Sequence, residues 1–283
     1  MTVAIDQETE LAYDQAKWAA NMPEVLARYA WLSETARTAL GAPRRFVYGP
    51  AATEAVEAFR TGRDNAPVVV FVHGGGWRGG AASDYAFPAE TLLARGIHYV
   101  AVDFSTVTDA GGELSVLIDQ IRRALVWTYR NCRAFGGDRT RIFLAGHSSG
   151  AHLAAMALST KWSDHGLPEA PIKGGFLVSG IYDLEPLRRT SRAAYVKLDD
   201  SIVRAASPIH HVAALSANVI VAVGGKESPE FQRQARAYGE AARQAGKTVR
   251  TVALPHYNHF EITETLGSPT GALGRELIGM IEA

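Results

Sequence analysis

The sequence predicts an α/β fold in which a doubly wound, mostly parallel sheet carries helices on both faces. From about residue 67 onward, short apolar runs rich in β-branched residues alternate with segments of helical periodicity. Several of the short runs are apolar at nearly every position, as expected of strands that are buried on both faces. Strands that alternate with helices along the chain usually form a parallel sheet with crossover helices.

The predicted elements follow one another along most of the chain. Residues 44–60 come first and are expected to form an antiparallel hairpin at one edge of the sheet. The strands are then predicted at 67–73, 99–104, 141–146, 174–179, 219–223 and 249–254. The helices between and after them are predicted at 84–95, 114–135, 149–158, 229–245 and 272–281.

Two segments do not follow this alternation. Residues 8–40 are expected to form one or two amphipathic helices, broken near Pro23. Residues 181–215 are a long insertion after the fourth predicted strand. Long excursions from an α/β core often act as lids or substrate walls, although the same segment could simply be packing decoration. We expect one domain over residues 1–283, with 181–215 as a small lid or substrate wall.

The composition indicates an enzyme that handles small molecules. The chain of 283 residues has 29 basic and 29 acidic side chains, so its net charge gives no reason to expect a nucleic acid or an anionic membrane as partner. No stretch approaches the roughly 18 apolar residues of a membrane span, and residues 1–9 lack the apolar core of a secretory signal. We therefore expect a cytoplasmic protein with a small-molecule substrate, and we leave a homodimer open.

The segment Gly146-His147-Ser148-Ser149-Gly150 carries the strongest functional signal. It follows a predicted strand and opens a predicted helix, which is the setting that gives a G-x-S-x-G pattern its meaning. A serine at the tip of such a sharp turn projects its hydroxyl above the sheet, near the positive end of the helix. Ser148 is therefore the predicted nucleophile, and the backbone N–H of Ser149 a predicted oxyanion donor.

A second glycine-rich turn, His73-Gly74-Gly75-Gly76-Trp77, ends an apolar strand. Successive glycines leave backbone N–H groups free to point at a ligand. Taken with the serine turn, this run predicts the other half of an oxyanion hole, with Gly75 and Gly76 as donors.

The general base and its acidic partner are expected after the nucleophile, in the chain order serine, acid, histidine. His256 and His259 both follow the strand predicted at 249–254, and we favour His259. Glu227 follows the strand predicted at 219–223 and is the expected acid. Asp183, after an earlier strand, remains an alternative. No metal-ligand spacing is evident, and no metal or other cofactor is expected.

At these motifs the sequence resembles the arylformamidase (kynurenine formamidase-like) branch of the α/β-hydrolases, near the hormone-sensitive-lipase-like esterases. The resemblance rests on HGGGW at 73–77, GHSSGAH at 146–152, GGKESPEFQRQAR at 224–236 and NHF at 258–260. It implies the α/β-hydrolase fold and a cofactor-free hydrolysis of amides or esters that bear an aromatic group. It maps the triad onto Ser148, Glu227 and His259, although the best-known members have an aspartate where this chain has Glu227.

The predicted mechanism is acyl transfer through a covalent serine intermediate. Trp77 and Tyr182 are candidate aromatic walls of the substrate pocket, with plain core packing as the alternative for each. An ordinary short-chain carboxylesterase with the same triad is the second functional hypothesis.

Overall fold

The computed structural model describes residues 5–283, and these residues form an eight-stranded sheet in the order β1-β2-β4-β3-β5-β6-β7-β8. The strands are β1 (Arg44–Val47), β2 (Ala55–Phe59), β3 (Ala66–Val72), β4 (His98–Val102), β5 (Gly137–His147), β6 (Gly174–Val178), β7 (Asn218–Gly224) and β8 (Val249–Leu254). β2 is antiparallel to both β1 and β4, and the remaining pairs are parallel. The carboxyl ends of the parallel strands therefore meet at one edge of the sheet.

Helices cover both faces of this sheet. They are α1 (Gln7–Tyr13), α2 (Met22–Leu40), α3 (Pro88–Ala94), α4 (Leu114–Asn131), α5 (Ser149–Leu158), α6 (Asp200–Ala206), α7 (Pro229–Gln244), α8 (Glu261–Glu264) and α9 (Ala272–Glu282). Short 3₁₀ helices link them, among them Gln15–Trp18, Glu185–Arg189, Ser191–Ala194 and Pro208–Ala214. No helix within residues 5–283 is long and apolar enough to cross a membrane.

The core consists of two apolar layers, one on each face of the sheet. β3 shows how the sequence builds both layers, because successive side chains of a strand point to opposite faces. Val68, Val70 and Val72 pack into one layer. Val69 and Phe71 pack into the other. This is why β3 is apolar at every position and is buried throughout.

The predicted α/β fold and the hairpin within 44–60 are confirmed, since β1 and β2 pair antiparallel at the sheet edge. The strand and helix predictions match the structure to within a few residues. The helix predicted at 84–95 differs most, since a 3₁₀ turn covers Ala82–Tyr85 and α3 begins only at Pro88. Proline suits the first turn of a helix, where its missing N–H would be unpaired in any case.

The two segments outside the alternation pack closely against the rest of the chain. The N-terminal segment, residues 7–40, consists of α1, a 3₁₀ turn and α2, with Pro23 in the first turn of α2. The insertion, residues 181–215, folds into α6 and short 3₁₀ turns. Side chains of the insertion such as Leu184 and Leu187 are fully buried in the core.

Candidate active site

Ser148 lies alone between the end of β5 and the start of α5. Its backbone has φ 56° and ψ −124°, a sparsely populated combination for a residue with a side chain. The Ser148 N–H donates to the carbonyl of Val178 at 2.8 Å, which fixes the turn against β6. A Cβ on Gly150 would collide with the carbonyl of Val72, so only glycine lets α5 approach β3 this closely. The strained turn places the hydroxyl at the carboxyl edge of the sheet.

The three residues predicted as a triad are joined by hydrogen bonds. His259 Nε2 lies 2.9 Å from Ser148 Oγ, and His259 Nδ1 lies 2.9 Å from Glu227 Oε2. An ionised carboxylate only accepts hydrogen bonds, so Nδ1 carries the proton in this arrangement. Nε2 is then the acceptor that faces the serine hydroxyl. His259 and Glu227 are both buried, which removes competing water from the His259–Glu227 bond.

The second oxygen of Glu227 is also occupied. Oε1 accepts the hydroxyl of Ser179 at 2.5 Å and the N–H of Gly224 at 2.6 Å. Ser179 follows β6 and has φ 53°, so its side chain reaches the loop after the neighbouring strand β7. Ser179 was not predicted from the sequence. Its position at the end of the strand beside β7 is the signal that could have found it.

The two alternatives considered from sequence lie elsewhere. Asp183 Oδ1 accepts the N–H of Glu185 at 3.0 Å, and its carboxylate makes no hydrogen bond to His259. His256 is exposed in a separate surface groove with Tyr257 and Glu261. Of the acids and histidines proposed, the structure brings only Glu227 and His259 into the chain of bonds that ends at Ser148.

The glycine-rich loop adjoins Ser148. Gly74, Gly75 and Gly76 line the same cavity as Ser148, and a Cβ on Gly74 would lie 3.1 Å from the Cβ of Ser148. Gly75 and Gly76 have φ 126° and 62°, in the left-handed region that glycine adopts at low cost. Within residues 5–283 neither donates its N–H to another group. The N–H of Ser149 is also one of the free donors of a helix's first turn.

A cavity of about 480 Å³ opens above these groups. Aromatic side chains form much of its lining: Tyr13, Tyr29, Tyr85, Phe231 and Phe260. The N-terminal segment supplies one whole wall, and several of its polar groups bond to the loops beside the triad. Gln15 Nε2 donates to Ser228 Oγ at 2.8 Å, next to Glu227, and the Tyr29 hydroxyl donates to the carbonyl of Phe260. The segment therefore belongs to the site, which the sequence analysis did not predict.

Comparison with known proteins identifies the family. Residues 58–170 match the family model described as BD-FAE. The chain is 32% identical to the kynurenine formamidase of Danio rerio over 97% of this chain and 96% of that protein. The chain belongs to the kynurenine formamidase family. The kynurenine formamidase of Salmo salar is 34% identical over 82% of this chain and 78% of its own length.

Solved structures support the same fold for this formamidase-family chain. A candidate thioesterase from Silicibacter sp. TM1040 superposes with a TM-score of 0.84 at 28% identity and covers 98% of this chain and 100% of its own. An esterase from Pyrobaculum calidifontis superposes with a TM-score of 0.75 at 17% identity, over 99% and 98% of the two chains. The protein is an α/β-hydrolase, as its motifs predicted.

In this formamidase-family chain, Trp77 and Tyr182 do not lie where the sequence predicted them. Trp77 is buried and donates its indole N–H to His152 on α5, and Tyr182 is buried with its ring stacked on Tyr238 at 4.3 Å between centroids. Neither lines the cavity. Both aromatic side chains turn into the core, where His152 and Tyr238 provide their contacts. From the insertion, Ile181 and Arg192 reach the cavity instead.

His147, the residue before Ser148, contacts both the backbone and the ring of His259. Its Nε2–H donates to the carbonyl of His259 at 2.8 Å, and the two rings lie 4.7 Å apart. Burial lowers the pKa of His147 well below its usual value, and the adjacent His259 acts in the same direction. His147 is thus held neutral, so it positions the backbone of His259 without adding a competing charge.

The buried histidines predict a loss of stability in mild acid. Burial lowers the pKa of His152 from 6.5 to about 4. As the pH falls from 6.5 towards 4, His152 binds a proton in the unfolded chain but stays neutral in the folded protein. Protonation therefore favours the unfolded chain, and the folded protein loses stability over this pH range. From this residue we expect a loss of about 2–3 kcal/mol in the free energy of unfolding between pH 7.5 and 4.5. Urea unfolding at both pH values should show the loss, and His152→Asn should show a smaller one. An equal pH dependence in both proteins would contradict it.

Proposed function

We propose that this chain is an arylformamidase that hydrolyses the N-formyl amide of an aromatic amine through an acyl-enzyme on Ser148. One observation carries the proposal: Ser148, His259 and Glu227 form a continuous chain of hydrogen bonds at the base of an aromatic cavity. The near full-length similarity to kynurenine formamidases supports the choice of substrate class.

In the proposed mechanism, His259 Nε2 takes the proton of the Ser148 hydroxyl as Oγ attacks the formyl carbon. Glu227 holds the imidazole in the tautomer that leaves Nε2 free and stabilises the charge that the ring acquires. The N–H groups of Gly75, Gly76 and Ser149 stabilise the oxyanion. His259 then gives its proton to the amine nitrogen as the C–N bond breaks. His259 Nε2 then activates a water molecule, which attacks the formyl ester and releases formate from Ser148.

The shape of the site supports a small acyl group and a planar leaving group. Gly74 lies close against Ser148, and formyl is the acyl group that needs the least space beside this loop. Away from Ser148, rings of the N-terminal segment and those of Phe231 and Phe260 line the cavity, together with aliphatic side chains such as Met22 and Leu26. Aromatic walls favour a planar ring, because they bury its faces. An aromatic formamide would place its formyl group beside the glycine loop and its ring against the aromatic side chains.

Arg192 supports a leaving group that carries a carboxylate. It lines the cavity, where its Nη2 donates to the carbonyl of Tyr13 at 2.9 Å and its Nη1 makes no hydrogen bond within residues 5–283. No acidic side chain of the described chain forms an ion pair with this guanidinium. Arginine binds carboxylates through paired N–H groups, so a substrate acid would use the donors that the protein leaves free. The relatives are named for kynurenine, which is an aromatic amine that carries a carboxylate.

A short-chain carboxylesterase with the same triad is the second candidate. An esterase of Mycobacterium tuberculosis, LipQ, is 28% identical over 72% of this chain and 52% of its own length. Esters are intrinsically easier to cleave than amides, and the proposed groups would serve either reaction. The candidates differ in leaving group, which kinetics can separate.

The test compares three substrates with one another. We expect kcat/KM to rank a carboxylate-bearing N-formyl arylamine above both its uncharged analogue and phenyl acetate. Arg192→Leu should lower kcat/KM for the charged substrate by about 10–100-fold more than for the other two, since only the charged substrate loses a partner. Arg189→Leu is the matched control, because Arg189 is a surface arginine of the same insertion. Phenyl acetate as the best substrate, with no selective effect of Arg192→Leu, would favour the esterase.

We further propose that the enzyme resides in the cytoplasm and uses no metal or organic cofactor. Among residues 5–283, no three His, Cys, Asp or Glu side chains are grouped to hold a metal ion. Cys132 is a free, fully buried thiol, which suits a reducing compartment. Activity that survives prolonged dialysis against a chelator would support the cofactor-free mechanism. The homodimer remains a prediction that sedimentation can test.

A further inference from the structure

Trp77 ends the glycine-rich loop in an unusual backbone conformation. Its φ is 61°, in the left-handed region that residues with a side chain rarely adopt. The Trp77 carbonyl accepts the N–H of Val107 at 2.7 Å, and its indole is buried. Strained residues of this kind persist only where surrounding contacts hold them. The contacts of the indole therefore bear on the position of Gly75 and Gly76, which directly precede it.

The indole is held by His152, a fully buried residue in the first turn of α5. Trp77 Nε1 donates to His152 Nδ1 at 3.2 Å, and the two rings meet edge to face. On the other side of the imidazole, Nε2 lies 2.7 Å from the carbonyl of Ala206, at the end of α6. A carbonyl can only accept, so Nε2 carries the proton and Nδ1 is left as the acceptor. The insertion thus sets the tautomer that receives the indole N–H.

We propose that His152 is a positioning residue that fixes the oxyanion loop relative to the nucleophile. This inference rests on the proposed function. The first turn of α5 carries both the Ser149 N–H and His152, and the His152 N–H donates to the carbonyl of Ser148. The bond to Trp77 therefore ties the Gly75 and Gly76 donors to the same helical turn as the third donor. His152 touches no reacting atom and acts only through Trp77.

The proposal predicts a specific loss when the acceptor is removed. His152→Leu leaves a buried indole N–H without a partner, which is more costly than removing both groups together. The loop is expected to shift, and small displacements of oxyanion donors slow catalysis markedly. We expect kcat to fall about 10–100-fold with KM changed less than about 3-fold, since the donors act mainly in the transition state.

Two ligands distinguish this role from a merely structural one. A trifluoromethyl ketone with an aryl group forms a hemiketal with Ser148 and requires the oxyanion donors, whereas the aromatic amine product does not. In His152→Leu and in Trp77→Phe, affinity for the ketone should fall about 10–100-fold while affinity for the amine is unchanged. His152→Asn keeps an acceptor close to the Nδ1 position and should retain most of the ketone affinity. The double variant should be no worse than His152→Leu alone.

Each assay is normalised by titration of active sites with a fluorophosphonate. The titration also separates a failure of the proposed function from a failure of the role proposed for His152. Failure of the wild-type protein to react at Ser148 would refute the proposed function itself. With labelling intact, an unchanged ratio of ketone to amine affinity in both His152→Leu and Trp77→Phe would overturn the role of His152. His98→Leu is the matched control, because His98 is equally buried but begins β4, at the opposite edge of the sheet from the site. It should lower stability and leave that ratio unchanged.

Discussion

Replacing Ser148 by alanine is expected to lower kcat by about 10⁴–10⁶-fold without disturbing the fold, because the members of a triad act as one unit. The hydroxyl is the only group of Ser148 that the mechanism uses, and the turn is held by backbone bonds that alanine retains. Pre-steady-state kinetics with an excess of an activated aryl ester should show no burst of product from the variant. Circular dichroism and urea unfolding should match those of the wild-type protein.

Ser149→Ala is the matched control for this experiment. Ser149 follows immediately in the chain, and its buried hydroxyl makes no hydrogen bond within the described residues. Only its backbone N–H is proposed to act, and alanine keeps that group. The variant should therefore stay within about tenfold of wild-type kcat. A large loss in Ser149→Ala together with an active Ser148→Ala would require another nucleophile.

Replacing Glu227 by glutamine is expected to lower kcat by about 10²–10⁴-fold, because the charge that orients His259 and stabilises its protonated form is lost. The shape of the side chain is preserved, so the bonds from Ser179 and Gly224 can persist on the amide oxygen. The amide nitrogen then faces His259 Nδ1 and favours the wrong tautomer. Steady-state kinetics on one formamide and one ester should show the same loss for both.

Asp183→Asn is the comparison for Glu227→Gln, since Asp183 was the alternative acid. Its carboxylate serves a local turn and makes no bond to His259. We expect its kcat within about threefold of wild type, as for most surface substitutions. A severe loss in Asp183→Asn with a mild one in Glu227→Gln would move the acid to the loop after β6.

The arrangement of Ser148, His259 and Glu227 could be predicted because the signals of these residues are local in sequence. A serine between a strand and a helix, with glycines on both sides, can adopt few other structures. Glu227 follows a strand with a plain apolar run, β7, and His259 follows β8, which is less apolar but rich in β-branched residues. The parallel topology then brings the ends of these strands to one edge, where residues far apart in sequence meet.

The rest of the site depends on contacts that no local pattern encodes. Ser179 reaches Glu227 only because β6 and β7 are neighbours in the sheet. The N-terminal segment shows an amphipathic pattern, but which loops it covers is decided by packing. Trp77 and Tyr182 show the converse problem, because an aromatic residue near a site is equally suited to a wall or to the core. Whether such a residue lines the cavity or packs in the core depends on the direction of its side chain, which the sequence does not reveal.

The most direct test of the account is to treat the protein with a fluorophosphonate and locate the adduct by peptide mass spectrometry. Only a serine activated by a neighbouring base reacts rapidly with such a reagent. We predict one stoichiometric adduct, on Ser148, with loss of activity in proportion to labelling and much slower labelling of His259→Ala. An adduct on Ser149 or another residue, or full activity after Ser148 is labelled, would contradict the serine hydrolase mechanism proposed for this chain.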